Sequence, residues 1–454
     1  MNEPGGFGLR KAGLITLLLS PFGFGAVPSE IWVPLAWLWA FIGGAAAVRN
    51  RGELRSEATS ALPARVTFLL VVLHCIFALQ LVPLPPDVLR VLSPGSYAAH
   101  YIPPPAQIHW APIAVSRNGT QQAWLFFAGL HGLAYALFRT PGSASRKTVL
   151  FFGMSGVGMI LAVEGLVQAA SPNPYWLYGV FAVPGASVHE SGIFGPYYNR
   201  DHYSNLLAIS GSVSAGLLAL RLSSIRAGSR SILGSRHFSA VVALAVALTV
   251  ILAASAASGS RGGLLALGAG LTVGLSSLLR ARPRLALIGA TAMALVLFGT
   301  GVPSAVERMG DVDFEASRLM VWRDALRLTE FFPLFGCGLG GFGACYWPYQ
   351  RVVRFEYWPH AHNEFLQWWI ETGAVGLLVG LGCARLLWVE APRIIRDHSL
   401  RPALAGLAAA AVHAWVECGF RIPANAAWAW VLFVCLFATD QATRAREVGP
   451  GRGV

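Results

Sequence analysis

Long apolar stretches separated by short polar connections dominate the pattern along this chain. A helix needs about 20 consecutive apolar residues to cross a bilayer. Stretches of spanning or near-spanning length lie at approximately 12–27, 31–48, 66–84, 122–138, 148–169, 203–220, 239–258, 262–279, 285–303, 364–384, 402–418 and 425–439. The pattern therefore predicts an all-α polytopic membrane protein with about twelve transmembrane helices, in which residues 1–454 form a single integral membrane domain.

The first apolar stretch, 12–27, admits a second interpretation as a signal peptide. Arg10 and Lys11 precede it, as the basic flank of such a peptide would. No clear small-x-small cleavage site follows the stretch. We therefore interpret it as an uncleaved first helix.

The positions of lysine and arginine predict the orientation of these helices, because short cytoplasmic connections carry an excess of both residues. With the N-terminus inside, the cytoplasmic connections receive 23 of the 34 lysines and arginines. Twelve helices then leave both termini in the cytoplasm and three long connections outside: 85–121, 170–202 and 304–363. Long connections of mixed composition are usually functional, so we expect the chemistry on the outer face.

Composition supports a membrane protein and narrows the function classes. Hydrophobic residues make up 55% of the chain and charged residues 12%, with a mean hydropathy of +0.55. A soluble domain has roughly 25% charged residues, so these values exclude one, together with a disordered chain, a collagen and a disulfide scaffold. The formal net charge of +12 comes from cations scattered between apolar runs. A nucleic-acid-binding protein gathers its cations on one face, and we expect no such partner here.

Two arginine-bearing segments border the predicted outer face. The segment 258–263, Ser-Gly-Ser-Arg-Gly-Gly, joins two apolar stretches, and its small residues leave the Arg261 guanidinium open to a ligand. Arg318 begins a helical pattern in the long outer loop, where it shares a stripe with Trp322. The alternatives are a snorkelling arginine in a tight turn and a solvated amphipathic helix on the membrane.

The glycine-rich segment 333–343 follows in the same loop. Its spacing would let backbone N–H groups approach an anion, but the Lys-Ser/Thr ending of a phosphate-binding P-loop is missing. A tightly turned re-entrant loop is the alternative. Cys337 and Cys345 lie here, and they could form a disulfide in an oxidising compartment or remain thiols.

The most informative cluster is His362, Asn363 and Glu364 at the outer end of a predicted helix, where polar groups must be paired or used. A neutral imidazole there can act as a general base near neutral pH. His360 and His362 also permit a metal site, but no clear third ligand stands nearby in the sequence. We therefore predict neither a metal ion nor another cofactor.

Two smaller polar clusters accompany these motifs. Asn199, Arg200 and His202 begin one apolar stretch from its outer side, whereas Glu164 and Gln168 lie in the outer half of another. An acid at that depth is expected to face the protein interior. The first cluster could line the same cavity as the motifs above or cap its helix at the membrane interface, and helix packing is the alternative for both clusters.

Four of these motifs, in this order, resemble the core of the O-antigen ligase and O-antigen polymerase family. They are Ser260-Arg261-Gly262, then Ser317-Arg318 with Trp322, then Pro333-Leu334-Phe335-Gly336-Cys337-Gly338-Leu339-Gly340, then His362-Asn363-Glu364-Phe365-Leu366-Gln367 with Glu371-Thr372-Gly373. The resemblance is close over residues 190–385. It implies a glycosyltransferase of the bacterial inner membrane, with 304–363 as a large helical periplasmic loop.

The resemblance also implies a substrate and a set of site residues. Family members take a glycan from undecaprenyl diphosphate at the periplasmic face, without metal or nucleotide. Arg261 and Arg318 correspond to the arginines that bind the diphosphate, and His362 to the histidine that activates the acceptor hydroxyl. The predicted catalytic residues are thus His362, Arg261 and Arg318. The predicted substrate-binding residues are Asn199, Arg200, His202, Asn363, Glu364 and Trp322.

One position departs from the family pattern, because Asp201 stands where an asparagine is expected. The acceptor, a glycan or a lipid core, is open, and so is the choice among polymerase, ligase and protein glycosylation. We lean to a polymerase, because nothing marks a specific acceptor, and inversion at the sugar carbon is implied. Chain-length regulator and flippase proteins are expected partners. The alternative functions are a twelve-helix secondary transporter, a noncatalytic scaffold and a metal-dependent hydrolase.

The predicted orientation can be checked with reporter fusions. Alkaline phosphatase fused after Trp110, in the first long outer connection, should be active, because the enzyme needs export. Green fluorescent protein fused to the C-terminus should fluoresce, because it folds in the cytoplasm. An inactive phosphatase fusion or a dark C-terminal fusion would contradict the predicted topology.

Overall fold

The computed structural model describes residues 4–49, 64–102, 109–138, 145–171, 176–177, 181–182, 195–228, 237–281, 312–351 and 357–438. The α-helices before the first strand are α1 (Pro4–Leu19), α2 (Ser29–Arg49), α3 (Ala64–Leu81), α4 (Pro86–Leu92), α5 (Pro94–Tyr101), α6 (Arg117–Phe138) and α7 (Ser145–Ala170). The short strands β1 (Trp176–Leu177) and β2 (Phe181–Ala182) pair antiparallel. The later α-helices are α8 (Arg200–Gly228), α9 (Phe238–Ala257), α10 (Arg261–Gly274), α11 (Ser276–Ala281), α12 (Val312–Phe331), α13 (Phe342–Tyr346), α14 (Glu364–Arg396), α15 (Arg401–Ala414) and α16 (Pro423–Phe437).

The predicted helical architecture is confirmed. Each predicted apolar stretch within the described residues is helical over most of its length, and 285–303 lies outside them. Among the described residues, the helices long and apolar enough to cross a membrane are Ser29–Arg49, Lys147–Ala170, Arg200–Ile225, Phe238–Ala257 and Glu364–Arg396. Arg65–Leu81 and Pro423–Phe437 are apolar but shorter. Several helices can therefore span a bilayer, and the number of twelve crossings stays a prediction.

Helix α8 lies at the centre of the bundle, packed against α9, α10 and α15. Small residues let these backbones approach closely, as is common where helices pack inside membranes. A Cβ on Gly216 would lie 2.7 Å from the Pro402 Cα, and a Cβ on Gly270 would lie 2.9 Å from the Ala405 carbonyl oxygen. The close packing fixes the ends of α8, α10 and α15 relative to one another.

Helix α14 is interrupted near its start at Gly373, whose φ of 64° and ψ of −161° are not helical. An interrupted helix exposes backbone N–H and C=O groups that must find partners elsewhere. The glycine-rich segment supplies them through four backbone hydrogen bonds: Cys337 N–H to the Ile370 oxygen (2.9 Å), Gly338 N–H to the Glu371 oxygen (3.2 Å), Ala374 N–H to the Pro333 oxygen (2.9 Å) and Val375 N–H to the Leu334 oxygen (3.1 Å).

The glycine-rich segment therefore serves as a tight structural turn. This role favours the interpretation as a tightly turned loop over that as an anion-binding segment. The side chain of Gln80 in α3 holds the same turn from the other side. Its amide donates to the Phe335 oxygen (2.7 Å) and the Glu371 oxygen (2.8 Å), and its Oε1 accepts from the Leu339 N–H (3.0 Å). The N–H groups that could have bound an anion are largely used within the protein.

Cys337 and Cys345 both lie in this region as buried free thiols. The sequence allowed either a disulfide between them or two thiols, and the structure has two thiols. Cys337 packs with Phe342 and Tyr346 in an apolar cluster beneath the loop.

We expect Gly336→Ala to destabilise the protein. Gly336 has a φ of +72°, and an added Cβ would lie 2.2 Å from the Glu371 carbonyl carbon. The left-handed conformation alone costs about 1–2 kcal/mol for a residue other than glycine, and the backbone clash adds to it. Thermal unfolding of the detergent-purified protein measures the effect.

Gly380→Ala is the matched control for this prediction. Gly380 lies in α14, and an added Cβ would meet nothing within 4 Å. Alanine there should leave stability unchanged or raise it by up to about 1 kcal/mol. Equal unfolding temperatures for the two variants would contradict a close approach at Gly336.

Candidate functional site

The sequence motifs meet at one end of the bundle, where α8, α10, α14 and α16 begin. The groups that meet there come from the first turn of α8, the turn between α9 and α10, helix α12, the loop before α14 and the turn after α15. We call this end the site end. The candidate site is the polar cluster that these segments form.

His362 lies in the loop just before α14 with a φ of +50°, a backbone conformation that few non-glycine residues adopt. Its Nδ1 is in hydrogen-bond contact with Oε1 of Glu417, which follows α15. The ring also meets the edge of Trp358, with centroids 5.6 Å apart. A carboxylate on Nδ1 favours the tautomer that leaves Nε2 as a proton acceptor.

Glu417 is the centre of the cluster, and its side chain is only 2% exposed. Its Oε2 accepts from the Arg318 guanidinium at 2.7 Å, and its Oε1 also accepts from the Cys418 N–H at 3.0 Å. Arg318 extends to the neighbouring Val416 oxygen at 3.4 Å. One buried carboxylate thus holds both the predicted base and a predicted diphosphate-binding arginine.

Asp201 connects Arg318 to the turn that carries Arg261, the third predicted catalytic residue. Its Oδ2 lies 3.8 Å from the Arg318 Nη2, and its Oδ1 accepts from the Ser260 hydroxyl at 2.6 Å. Ser260 also accepts from the Gly263 N–H at 3.2 Å and so caps the N-terminus of α10. Arg261 is the next residue, exposed on the first turn of that helix.

The two glycines after Arg261 allow this turn to come close to its neighbours. A Cβ on Gly263 would lie 1.9 Å from the Ser204 Oγ in α8. A Cβ on Gly262 would lie 3.1 Å from a Val416 methyl in the turn after α15. Larger residues would push the turn that carries Arg261 away from α8 and from the turn after α15, so close packing explains the two glycines.

The residues at the start of α8 lie in the same cluster. Asn199 precedes the helix and accepts from the Asp201 N–H at 2.7 Å, while Arg200 is its first residue. The His202 Nε2 lies 3.5 Å from the Cys418 sulfur, and its carbonyl oxygen accepts from Asn425 in α16. The structure thus brings His202 to the turn that carries Glu417, and Asn199 contacts the backbone of Asp201, whose carboxylate lies 3.8 Å from Arg318.

The remaining predicted substrate-binding residues are engaged within the protein. Asn363 caps α14 by accepting from the Leu366 N–H at 3.0 Å. The Trp322 indole donates to the Ala361 oxygen at 2.8 Å and so ties α12 to the loop that carries His362. Glu364 is buried and pairs with Arg421. The side chains of Asn363, Trp322 and Glu364 therefore bind other groups of the protein and stabilise the segments that form the site.

Beneath the cluster, Arg421 joins two buried carboxylates. Its Nε lies 3.1 Å from a Glu364 oxygen, and its Nη1 lies 2.8 Å from a Glu371 oxygen. Gln367 donates to Glu371 at 2.9 Å and accepts from the Ala361 N–H at 3.0 Å. This network links the first turns of α14 to the loop that positions His362.

Charge and burial set the protonation of these groups. Burial alone would raise the pKa of Glu417, but the hydrogen bond with His362 and the charge of Arg318 hold that pKa well below its usual value. Burial lowers the pKa of His360 to about 3, and the charge of Arg421 adds to the effect. Glu417 is therefore ionised and His360 neutral near pH 7, which leaves His362 as the better candidate base.

Sequence reasoning missed Glu417, Arg421 and Gln80. Glu417 lies at the end of the predicted apolar stretch 402–418, and Arg421 lies in the short connection that follows it. The signal that could have identified Glu417 is an acid at the end of a membrane helix, which requires a partner. The partners lie 55 and 99 residues away, so the pairing itself could not be predicted.

One group of side chains could hold a metal ion within the described residues. The ligand atoms of His202, Glu417 and Cys418 lie within 4.8 Å of one another. Both Glu417 oxygens already accept from His362 or Arg318. Burial also raises the pKa of the Cys418 thiol well above its usual value, which disfavours the thiolate that a metal needs. The donor set is therefore a poor fit for a metal.

The cluster combines a carboxylate-held imidazole with exposed and half-buried guanidinium groups near a helix N-terminus. A histidine of this kind can accept a proton from a hydroxyl. Arginines beside it can stabilise an anion that forms during a reaction. The arrangement suits transfer of a group from an anionic leaving group to a hydroxyl.

Part of the chain is similar to a known family. Residues 243–381 match the family model described as O-antigen ligase. The matched segment runs from α9 into α14, so it contains Arg261, Arg318 and His362 and ends before Glu417. No curated protein matches the chain.

Breaking the buried ion-pair network should destabilise the protein. We expect Arg421→Gln to cost about 3–5 kcal/mol, because it leaves Glu364 and Glu371 buried without their cation. Thermal unfolding in detergent measures this loss. Arg327→Gln is the control, since Arg327 lies 3.9 Å from Asp324 and is 37% exposed, and its loss should be within about 0.5 kcal/mol.

A combined variant distinguishes loss of charge pairing from loss of packing. Arg421→Met together with Glu364→Gln and Glu371→Gln should recover part of the lost stability, because no buried charge is left unpaired. If the single Arg421→Gln variant unfolds at the wild-type temperature, the network does not stabilise the fold.

Proposed function

The chain is related to the O-antigen ligase family through residues 243–381, and from this premise we propose that it is an inner-membrane glycosyltransferase. In this proposal it takes an oligosaccharide from undecaprenyl diphosphate at the periplasmic face and transfers it to a hydroxyl acceptor. The family match itself supports an enzyme that acts on lipid-linked glycans. The observation that carries the finer proposal is the contact of Glu417 with both His362 and Arg318.

His362 is the general base in the proposed reaction. Glu417 holds its Nδ1, and Nε2 accepts the proton as the acceptor hydroxyl attacks the sugar carbon. The ionised Glu417 stabilises the imidazolium that results. A new C–O bond to the acceptor forms while the bond from the sugar to the diphosphate oxygen breaks, and one such displacement inverts that carbon.

The arginines serve the leaving group. Undecaprenyl diphosphate departs with the electron pair of the broken bond, so it needs positive charge more than a carboxylic general acid. Arg318 and Arg261 carry permanent charges and can bind phosphate oxygens in a bidentate manner. Arg261 also lies on the first turn of α10, where the helix dipole favours an anion. No metal ion is required for this division of roles.

The acceptor distinguishes the two forms of this activity. A polymerase would use the growing glycan as one substrate and a lipid-linked repeat unit as the other. A ligase would use a sugar of the lipid core. We favour the polymerase, because no feature of the described site marks a specific acceptor.

The lipid-linked glycan pool tests the proposal. The gene is deleted in its host, undecaprenyl-linked glycans are extracted, and their lengths are determined by mass spectrometry. Accumulated single repeat units would identify a polymerase, whereas long chains retained on the lipid would identify a ligase. An unchanged pool with loss of transport of a solute would contradict the proposal and favour a secondary transporter.

Substitution of His362 or Glu417 should abolish most activity. We expect His362→Ala and Glu417→Gln each to lower transfer about 10²–10⁴-fold, because one removes the base and the other removes the charge that orients it. Rates are measured on purified lipid-linked glycan with protein of verified membrane insertion. Glu390→Gln is the control, since Glu390 pairs with Arg393 near the other end of α14 and should retain full activity.

Metal independence has a separate test. Activity should survive a chelator at a concentration that strips tightly bound divalent ions, because the proposed roles need only protein side chains. Activity that is lost with chelator and restored by added zinc would instead assign a role to His202, Glu417 and Cys418 as metal ligands.

A further inference from the structure

A cavity of about 410 Å³ lies between α3 and α14, away from the candidate site. Its lining combines the apolar side chains of Phe68, Leu69, Leu386 and Val389 with two arginines, Arg65 and Arg385. The two arginines are far apart in the sequence and come from different helices. The fold therefore brings two guanidinium groups to one apolar cavity.

The cavity lies at the opposite end of the bundle from the site end. Gln80 of α3 bonds to the Glu371 backbone of α14 beside the candidate site. Counted from these two residues, Arg65 and Arg385 lie about 20 Å further along their helices at 1.5 Å per residue. Leu73 and Phe77 of α3 pack with Val379 of α14 between the two ends. By the predicted orientation, the cavity faces the cytoplasmic leaflet.

Within the described part of the chain, no carboxylate pairs with Arg65 or Arg385. Both side chains are exposed. Glu390, which is near Arg385 in the sequence, pairs with Arg393 at 2.6 Å. Two unpaired cations beside an apolar cavity complement a ligand with one anionic end and one apolar end.

We propose that this cavity binds an anionic phospholipid of the membrane. The phosphate of the headgroup lies between Arg65 and Arg385, and an acyl chain follows the apolar lining. Basic pockets between helices on the cytoplasmic side are suited to such headgroups, and arginine binds phosphate in a bidentate manner. Topology alone explains arginines in cytoplasmic connections, but it does not explain why two of them border one cavity.

This binding site is separate from the proposed transfer reaction. The lipid touches no residue of the candidate site, so the proposal stands whether or not the chain is a glycosyltransferase. The bound lipid joins α3 to α14 at one end, as Gln80 joins them at the other.

Lipid binding to the purified full-length protein tests the proposal. Native mass spectrometry counts bound phosphatidylglycerol and, in parallel, phosphatidylcholine, and thermal unfolding reports stabilisation by each. We expect phosphatidylglycerol to bind and to stabilise, with phosphatidylcholine much weaker. In Arg65→Gln with Arg385→Gln, phosphatidylglycerol should bind roughly tenfold more weakly or worse, because both phosphate contacts are lost.

Arg280→Gln with Arg396→Gln is the matched control. Both of these arginines are exposed and lie on the same predicted side. Their substitution removes the same charge as the first double variant, so this control should bind phosphatidylglycerol as the wild type does. An equal loss in both double variants would mean diffuse attraction to the membrane surface and would overturn the proposal.

Two further measurements address the acyl chain. Val389→Trp fills the cavity while both arginines remain, and it should abolish binding of phosphatidylglycerol. Inorganic phosphate and glycerol phosphate lack an acyl chain and should give little stabilisation. Wild-type affinity in the Val389→Trp variant, or equal stabilisation by inorganic phosphate, would overturn the proposed lipid site.

Discussion

A carboxylate withdrawn from water stays ionised only when cations and hydrogen-bond donors surround it. Glu417 is such a group, and the positions of His362 and Arg318 follow from its need for partners. The partners come from a loop and from α12, while Glu417 itself follows α15. The requirement of one buried charge therefore brings three distant segments together and, with them, the base and a cation of the candidate site.

Close packing of α8, α10 and α15 provides the frame for that charge. Glycines at the contacts keep the helix ends in register, so that Asp201 on α8 reaches Ser260 at the start of α10. The interior at this end is polar, yet the hydrogen bonds between the segments satisfy many of its groups. Electrostatics selects the residues of the site, and small side chains fix their separation.

Periodic features of the chain were predictable, whereas long-range pairings were not. Apolar stretches and the pattern around Arg318 depend on local order, and the structure has helices at both. The motifs that contain Arg261 and His362 also led to a resemblance that agrees with the family match over residues 243–381. The roles of Glu417 and Arg421 could not be predicted, because the partners that define them lie at least 50 residues away in the sequence. The glycine-rich segment has a structural role because Gly373 interrupts α14, and no local signal revealed that break.

The break at Gly373 has a mechanical consequence. It divides α14 into a short initial part and a long part that could cross the bilayer, and segment 333–338 bonds to the backbone on both sides of the break. The bend is therefore fixed by hydrogen bonds and does not act as a free hinge. The initial part keeps a set angle to the membrane part, so this bend determines the direction in which the loop that carries His362 leaves the helix.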